Sequence, residues 1–343
     1  MRLVILFGGR SAEHEVSCVT AASVLAAADP SRYDVVPVGI TIDGDWVRAE
    51  AAPDALVAAG PGVDPSEVLT DGTTVFPVLH GPFGEDGTVQ GLLELAGVPY
   101  VGSGVLGSAL CMDKAMAKGV AAGLGIPQVR HVALRDVDLD SDDGALERAA
   151  AALGFPIFVK PANLGSSVGV TKAIDAGELA EAVKLALSYD EWVVLEEAVH
   201  AREIECGLLG YGRLRVSLPG EVRPSHDFYD YDDKYADGAA ELLVPAPLPA
   251  AVVEEVQRMA LAAGAALRVD GMARVDFFYE EGGRGLLLNE VNTIPGFTPI
   301  SMYPKMWEAS GLPYPRLIDE LVAAARRRHG NRATRIGRTG RTG

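Results

Sequence analysis

The chain opens with an unbroken apolar run, RLVILF at residues 2–7, followed by the loop Gly8-Gly9-Arg10-Ser11. Apolar residues then recur at Val16, Val19, Val24 and Leu25, the spacing of a helix reaching about Ala28. Asp34–Ile42 and Thr74–Leu79 (TVFPVL) read as further short apolar strands, the latter running into His80-Gly81-Pro82. Strands alternating with a helix predict a parallel sheet wound with helices, whose binding crevice lies at the carboxyl ends of the strands. The loops GGRSAE and HGPFGEDG both fall at such ends. A second unit starts near Val101, with a helix over Ser108–Gly123 and a Gly-Ile-Pro turn at 125–127. The strand Phe155–Lys160 follows, then a glycine-rich turn, a return strand Val168–Ala173 and an amphipathic helix Ala176–Ser188. Trp192–Glu197 (WVVLEE) reads as a strand near the start of a third unit, which closes with the helix Tyr314–Ala325. There Leu317, Ile318, Leu321 and Val322 share one face. The expected organisation is an N-terminal α/β domain over 1–100, a central subdomain over 101–190, a C-terminal subdomain over 191–325, and a tail over 326–343.

Charge separates the tail from the body. The whole chain of 343 residues carries −17, but Arg326–Gly343 holds seven arginines and no acid, which leaves residues 1–325 at −24. An acidic body argues against nucleic acid as a partner. The tail, RRRHGNRATRIGRTGRTG, lacks apolar periodicity and is expected to be disordered. Cys18, Cys111 and Cys206 are far apart with no CxxC, the pattern of a reduced compartment. The first apolar run is too short for a signal peptide and nothing approaches a membrane span, so a cytoplasmic protein with no membrane partner is expected.

The most informative stretch is RVDFFYEEGGRGLLLNEVN, from Arg274. Met272–Tyr279 and Gly285–Val291 read as two strands around the turn at 280–284. Alternation puts Arg274 with Asp276 on one face, and Leu288, Glu290 and Asn292 on one face. A turn centred on Gly283 sets Asp276 opposite Glu290 and Arg274 opposite Asn292. Opposed carboxylates repel unless a cation sits between them, and hard oxygen donors suit Mg²⁺ beside a phosphate. A solvated acidic hairpin is the plainer alternative, but RVDFF and LLLNEVN are too apolar for it.

Two pattern matches mislead. Gly102-Ser103-Gly104-Val105-Leu106-Gly107 fits the dinucleotide fingerprint, yet no acid occurs from Ala115 to Arg135 to hold a ribose. Gly165-Ser166-Ser167-Val168-Gly169 fits the hydrolase elbow, but a strand rather than a helix should follow. What remains of that segment is a glycine- and serine-rich hairpin after Lys160, suited to phosphate oxygens or, more plainly, a flexible tip. SHDFYDYDDKYADG, residues 225–238, interleaves four aromatics with five aspartates and Lys234, and reads as a lid over a site or as a surface loop. Lys114 on its helix and Glu196-Glu197 at a strand end have ordinary structural readings of their own.

GGRSAEHEVS, HGPFGEDGTVQG, VPYVGSG, MDK, FVKPANLGSSVGV, YDYDDKY, RVDFF and NEVNTIPGFTPIS occur in order, at intervals similar to those of D-alanine–D-alanine ligases. The chain resembles that family, of the ATP-grasp superfamily, from about residue 2 to 325. The resemblance implies an ATP-grasp fold: an N-terminal parallel α/β domain and two α+β subdomains clasping ATP. It implies ATP-dependent joining of two D-alanines through an acyl phosphate, for peptidoglycan precursors. By the same resemblance Glu13 would hold the first D-alanine's ammonium, supported by Ser166 and His80. Lys114, Lys160, Glu196, the Glu197–Val199 backbone and Glu203 would bind ATP. Asp276, Glu290 and Asn292 would hold two Mg²⁺ ions, with Mn²⁺ able to substitute. Lys234 would steady the transferring phosphoryl group from a lid over 219–241. Arg274 and the Gly296 N–H would stabilise the tetrahedral oxyanion, and Ser301 would take the second carboxylate. Lys234-Tyr235 follows the dipeptide-forming pattern, favouring D-alanine over D-lactate, with D-serine an open alternative. The family is commonly dimeric, so a homodimer is expected. A non-catalytic ATP-binding sensor is the reading from another class, and it would be marked by loss of Arg274, Asp276, Glu290 or Asn292, all present here.

Overall fold

A computed structural model describes residues 1–50, 56–142, 144–223 and 240–335 of the chain. The fold is α/β, built on three sheets. In the first, β1 (Arg2–Gly8) lies parallel between β2 (Asp34–Ile40) and β4 (Thr74–Pro77), and β3 (Trp46–Arg48) adds antiparallel to β2 at the edge. β1 explains its own unbroken apolar run, because helices cover both of its faces. Leu3, Ile5 and Phe7 pack with Cys18, Ala21 and Val24 of the first helix and with Leu317, Ile318 and Leu321 of the last. Val4 and Leu6 pack on the other side with Val89 and Leu93 of the helix Thr88–Leu95.

The second sheet is antiparallel, in the order β5 (His131–Arg135), β8 (Trp192–Glu197), β6 (Ile157–Pro161), β7 (Thr171–Ala173). β8 is thus an inner strand of the central sheet, and the expected boundary at 190/191 cuts through that sheet. Its run WVVLEE carries no mark of which neighbour it pairs with. A strand, not a helix, follows Gly169, as expected. The third sheet runs β12 (Glu241–Leu243), β11 (Gly220–Arg223), β9 (Arg202–Gly210), β13 (Gly271–Glu280), β14 (Gly285–Asn292), with β10 (Arg215–Val216) also on β9. The helix Ala250–Ala266 covers one of its faces through Val256, Met259 and Ala263. The other face carries Arg274 and Asp276.

Two further expectations change. The helix over Ser108–Gly123 is two helices, Val105–Met112 and Lys114–Gly123, because Asp113 is extended and its carboxylate accepts the Met116 N–H at 2.9 Å as an N-cap. The basic tail is not disordered from Arg326. The last helix runs Tyr314–Ala333, and its buried face continues from Ala324 and Ala325 to Arg328. The Arg328 guanidinium lies over the Tyr100 ring at 4.3 Å and donates to the Gly102 carbonyl and, at 2.9 Å, to the Tyr100 carbonyl. One turn on, Arg332 pairs with Glu94. An arginine stem filled a helical core position that apolar periodicity overlooks. Residues 336–343 lie outside the described residues. Cys18, Cys111 and Cys206 are free and buried, and among the described residues no helix is long and apolar enough to cross a membrane.

Candidate active site

The hairpin of β13 and β14 pairs Asp276 with Glu290 and Arg274 with Asn292, the register expected from the sequence. Nearer the turn the register slips by one, so that Phe277 faces Leu288 and Asn289 is an extra, bulged residue. The bulge corrects one expectation. Leu288 does not share a face with Glu290 and Asn292 but is buried in the core with Phe277 and Leu286. A bulge re-aims the side chains beside it, and here the consecutive Asn289 and Glu290 both line the cavity described below. Arg274 forms a fork on Asp276 at 2.8 and 2.7 Å and reaches Glu205 on β9 at 3.2 Å. Burial opposes its charge, but Asp276 and Glu205 hold the guanidinium well above its usual range. Asn292 donates its amide to Asp276 at 2.9 Å. Among the described residues no three of His, Cys, Asp and Glu are grouped to hold a metal, and here the third donor is an amide. Two carboxylates and an amide oxygen, once Asn292 is turned, fit a hard divalent cation.

Between the second and third sheets lies a cavity of about 710 Å³. Lys114, Lys160, Ser166, Glu196, Glu197, Val199, Glu203, Arg274, Asp276 and Glu290 all line it. On β6, Lys160 meets Glu196 of β8, Nζ to Oε2 at 2.7 Å. Burial would raise the Glu196 carboxyl, but Lys118 and Lys160 together pull it well below the usual carboxylate range. Lys114 donates to the Leu164 carbonyl and so ties its helix to the glycine-serine loop. The Glu197 carboxylate is taken by Arg130 at 2.7 Å and by Arg284 at 2.6 Å, which leaves the backbone beyond it to face the cavity.

The loop after Lys160 is conformationally demanding. Ser166 and Ser167 adopt φ of +48° and +58°, a left-handed backbone that L residues rarely take outside functional loops. This turn brings the Ser166 hydroxyl to the carboxylate of Glu13, which arrives from the loop after β1. A Cβ on Gly165 would stand 2.9 Å from Glu13 Oε2, and one on Gly81 2.5 Å, so both glycines make room for that carboxylate. His80 is buried, its Nε2 3.0 Å from the Thr20 hydroxyl. Burial pushes its imidazole down to about 4, so at neutral pH the ring carries no charge. Ser301 precedes the helix Met302–Ala309, and its Oγ accepts the Thr298 N–H at 3.1 Å. A Cβ on Gly296 would approach that Oγ to 3.0 Å, so the two are neighbours. Glu13, His80, Asn292, Gly296 and Ser301 lie outside the cavity's lining. Lys234 and Tyr235, with the aromatic and acidic segment around them, fall outside the described residues.

Three charged residues escaped the sequence reading. Glu85 accepts the Gly81 N–H at 3.1 Å, and burial together with Glu13 pushes its carboxyl well above the usual range. Its signal was available in HGPFGEDG, a loop at a strand end. Glu205 shares a face with Glu203 by strand alternation. Lys118 stands one turn beyond Lys114.

The chain matches the family model described as D-ala D-ala ligase N-terminus over residues 2–103, and D-ala D-ala ligase C-terminus over 120–323. A D-alanine--D-alanine ligase of Caldicellulosiruptor bescii is 46% identical over 345 residues, covering 95% of each chain. One from Solibacter usitatus is 47% identical over 329 residues, covering 96% of each. Among solved structures, the VanG D-Ala:D-Ser ligase from Enterococcus faecalis has a TM-score of 0.81 at 34% identity, covering 94% of this chain and 99% of that one. The D-alanine-D-alanine ligase from Coxiella burnetii has a TM-score of 0.79 at 34% identity and covers 96% of both. With those neighbours the three-sheet arrangement is the ATP-grasp fold, and the chain belongs to the D-alanine–D-alanine ligase family.

Proposed function

We propose that this protein joins two D-alanines to D-alanyl-D-alanine at the expense of ATP, releasing ADP and phosphate. One observation carries the reading: Glu13 meets Ser166 at the edge of a cavity that Lys114, Lys160, Ser166, Arg274, Asp276 and Glu290 line together. A free carboxylate is a poor acyl donor, and phosphorylation supplies the missing leaving group. The first D-alanine, its ammonium on Glu13 and Ser166, attacks the γ-phosphorus through a carboxylate oxygen, and ADP leaves. The amine of the second D-alanine, its carboxylate at Ser301, attacks the resulting acyl phosphate, and phosphate departs. Arg274 and the Gly296 N–H answer the oxyanion that forms between those events. Lys114, Lys160, Glu196, Glu203 and the backbone from Glu197 to Val199 seat the nucleotide. The charge of Lys234 would steady the transferring phosphoryl group, with Tyr235 beside it in sequence as in the dipeptide-forming pattern. Asp276, Glu290 and Asn292 would hold two Mg²⁺ ions, or Mn²⁺, which neutralise charge on the triphosphate when bound. Cytoplasmic residence and a homodimer complete the proposal, and the exposed Leu92, Leu95 and Leu106 suit a subunit contact.

The test is phosphate release from ATP and Mg²⁺ with D-alanine, L-alanine, D-alanine plus D-lactate, D-alanine plus D-serine, or no amino acid, products identified by mass. Release with D-alanine alone, giving the dipeptide, is expected. A mixed product formed in preference would move the second substrate, and no D-alanine-dependent release would refute the proposal.

A further inference from the structure

Glu196 divides its two oxygens between two lysines. Lys160 Nζ lies 2.7 Å from Oε2, and Lys118 Nζ lies 2.7 Å from Oε1. Of these three residues Lys160 and Glu196 line the cavity, whereas Lys118 does not and its side chain is 4% exposed. Burying an ammonium is costly, and Lys160 alone would already neutralise Glu196. The second lysine therefore does something that charge balance at Glu196 does not require. It leaves the trio at a net charge of +1, and it holds one carboxylate oxygen away from Lys160. Without it, both oxygens are free to close on the Lys160 ammonium, which has three donors to share.

We propose that Lys118 is a positioning residue for the nucleotide: by occupying Oε1 of Glu196 it keeps that carboxylate from closing on Lys160, whose ammonium then retains donors and charge for the nucleotide's phosphates. The inference rests on the reading of the cavity as a nucleotide site. Lys118 touches no substrate and acts only through Glu196, so its effect falls on phosphate contacts and vanishes when Glu196 loses its charge.

The experiment titrates the full-length chain, without D-alanine, with MgATP and separately with adenosine by calorimetry, in wild type, K118M, K118R, E196Q and K118M/E196Q. K118M is expected to weaken ATP by about tenfold or more, the loss of a charged contact, and to leave adenosine within about twofold. K118R retains most of the affinity. In the E196Q background, adding K118M changes ATP affinity by less than about twofold, the signature of a coupled pair. The double variant, which lacks the stranded buried carboxylate, keeps the test readable if K118M alone folds poorly. Equal losses of ATP and adenosine, an unchanged ATP affinity in K118M, or the same loss in both backgrounds would overturn the proposal. A wild-type chain that binds no ATP refutes the nucleotide reading and this inference with it, whereas ATP binding without D-alanine-dependent turnover refutes the ligase reading alone.

Discussion

Replacing Arg328 with alanine tests whether the last helix is part of the folded body. The side chain is 3% exposed, lies over the Tyr100 ring at 4.3 Å, and donates to the Tyr100 and Gly102 carbonyls. Each hydrogen bond from a charged donor contributes about 1.5–3 kcal/mol, and the ring contact adds about 1–2 kcal/mol. Against this, removing a buried charge returns several kcal/mol of desolvation. The net cost of R328A is about 2–4 kcal/mol, which for unfolding of the 343-residue chain is a fall in melting temperature of roughly 3–6 °C. R328M, which keeps the apolar stem, should recover part of the loss, and R327A, at an exposed neighbouring position, should melt like wild type. Differential scanning fluorimetry across the three variants reads the result. If R328A melted within a degree or two of R327A, the helix beyond Ala325 would contribute nothing, and the disorder expected from its composition would stand.

Glu290→Gln should abolish turnover and weaken Mg²⁺-dependent ATP binding, since the opposed pair with Asp276 would lose a charge; near-normal steady-state rates would remove these residues from a metal role. The pH dependence of stability is expected to carry a His80 contribution. Burial holds this ring at about 4 in the folded chain against 6.5 unfolded, so the unfolded state binds the extra proton between those values. The stability is fully present above pH 6.5 and is lost as pH falls toward 4, by about 3 kcal/mol. Melting curves of wild type and H80N from pH 7 to 4 should converge toward the acid end, and parallel curves would refute the assignment.

The hairpin register was readable because turn chemistry and alternation are local properties: Asp276 does face Glu290. The bulge at Asn289 was not, since a core that takes both Phe277 and Leu288 decides where the strand gains a residue. Strand β8 was visible as WVVLEE, but its place between β5 and β6 depends on partners distant in sequence. The same limit hid Lys118 and Glu205, whose significance comes from Glu196 and Arg274 opposite them. Arg328 was misread for a different reason: hydrophobic periodicity scores side chains by their tips, and an arginine stem covered by a tyrosine ring belongs to the core whatever its tip carries.

The packing of Leu317, Ile318 and Leu321 against Leu3, Ile5 and Phe7 bears on how the chain is made. Translation runs from the amino end at roughly 5–20 residues per second, and domains usually fold as they emerge. Here one face of the first sheet, met early by Cys18, Ala21 and Val24 of the first helix, receives the rest of its cover only when residues beyond 314 leave the ribosome. The opening β-strand therefore waits roughly 15–60 s, at that rate, with this apolar face covered only in part. Its earliest neighbours, the first helix and β2, hold it meanwhile, and the ends of the chain are stitched last, where Arg32 and Tyr33 meet Asp319. A nascent chain stalled before that helix would present this face to chaperones, and a truncated product would keep presenting it.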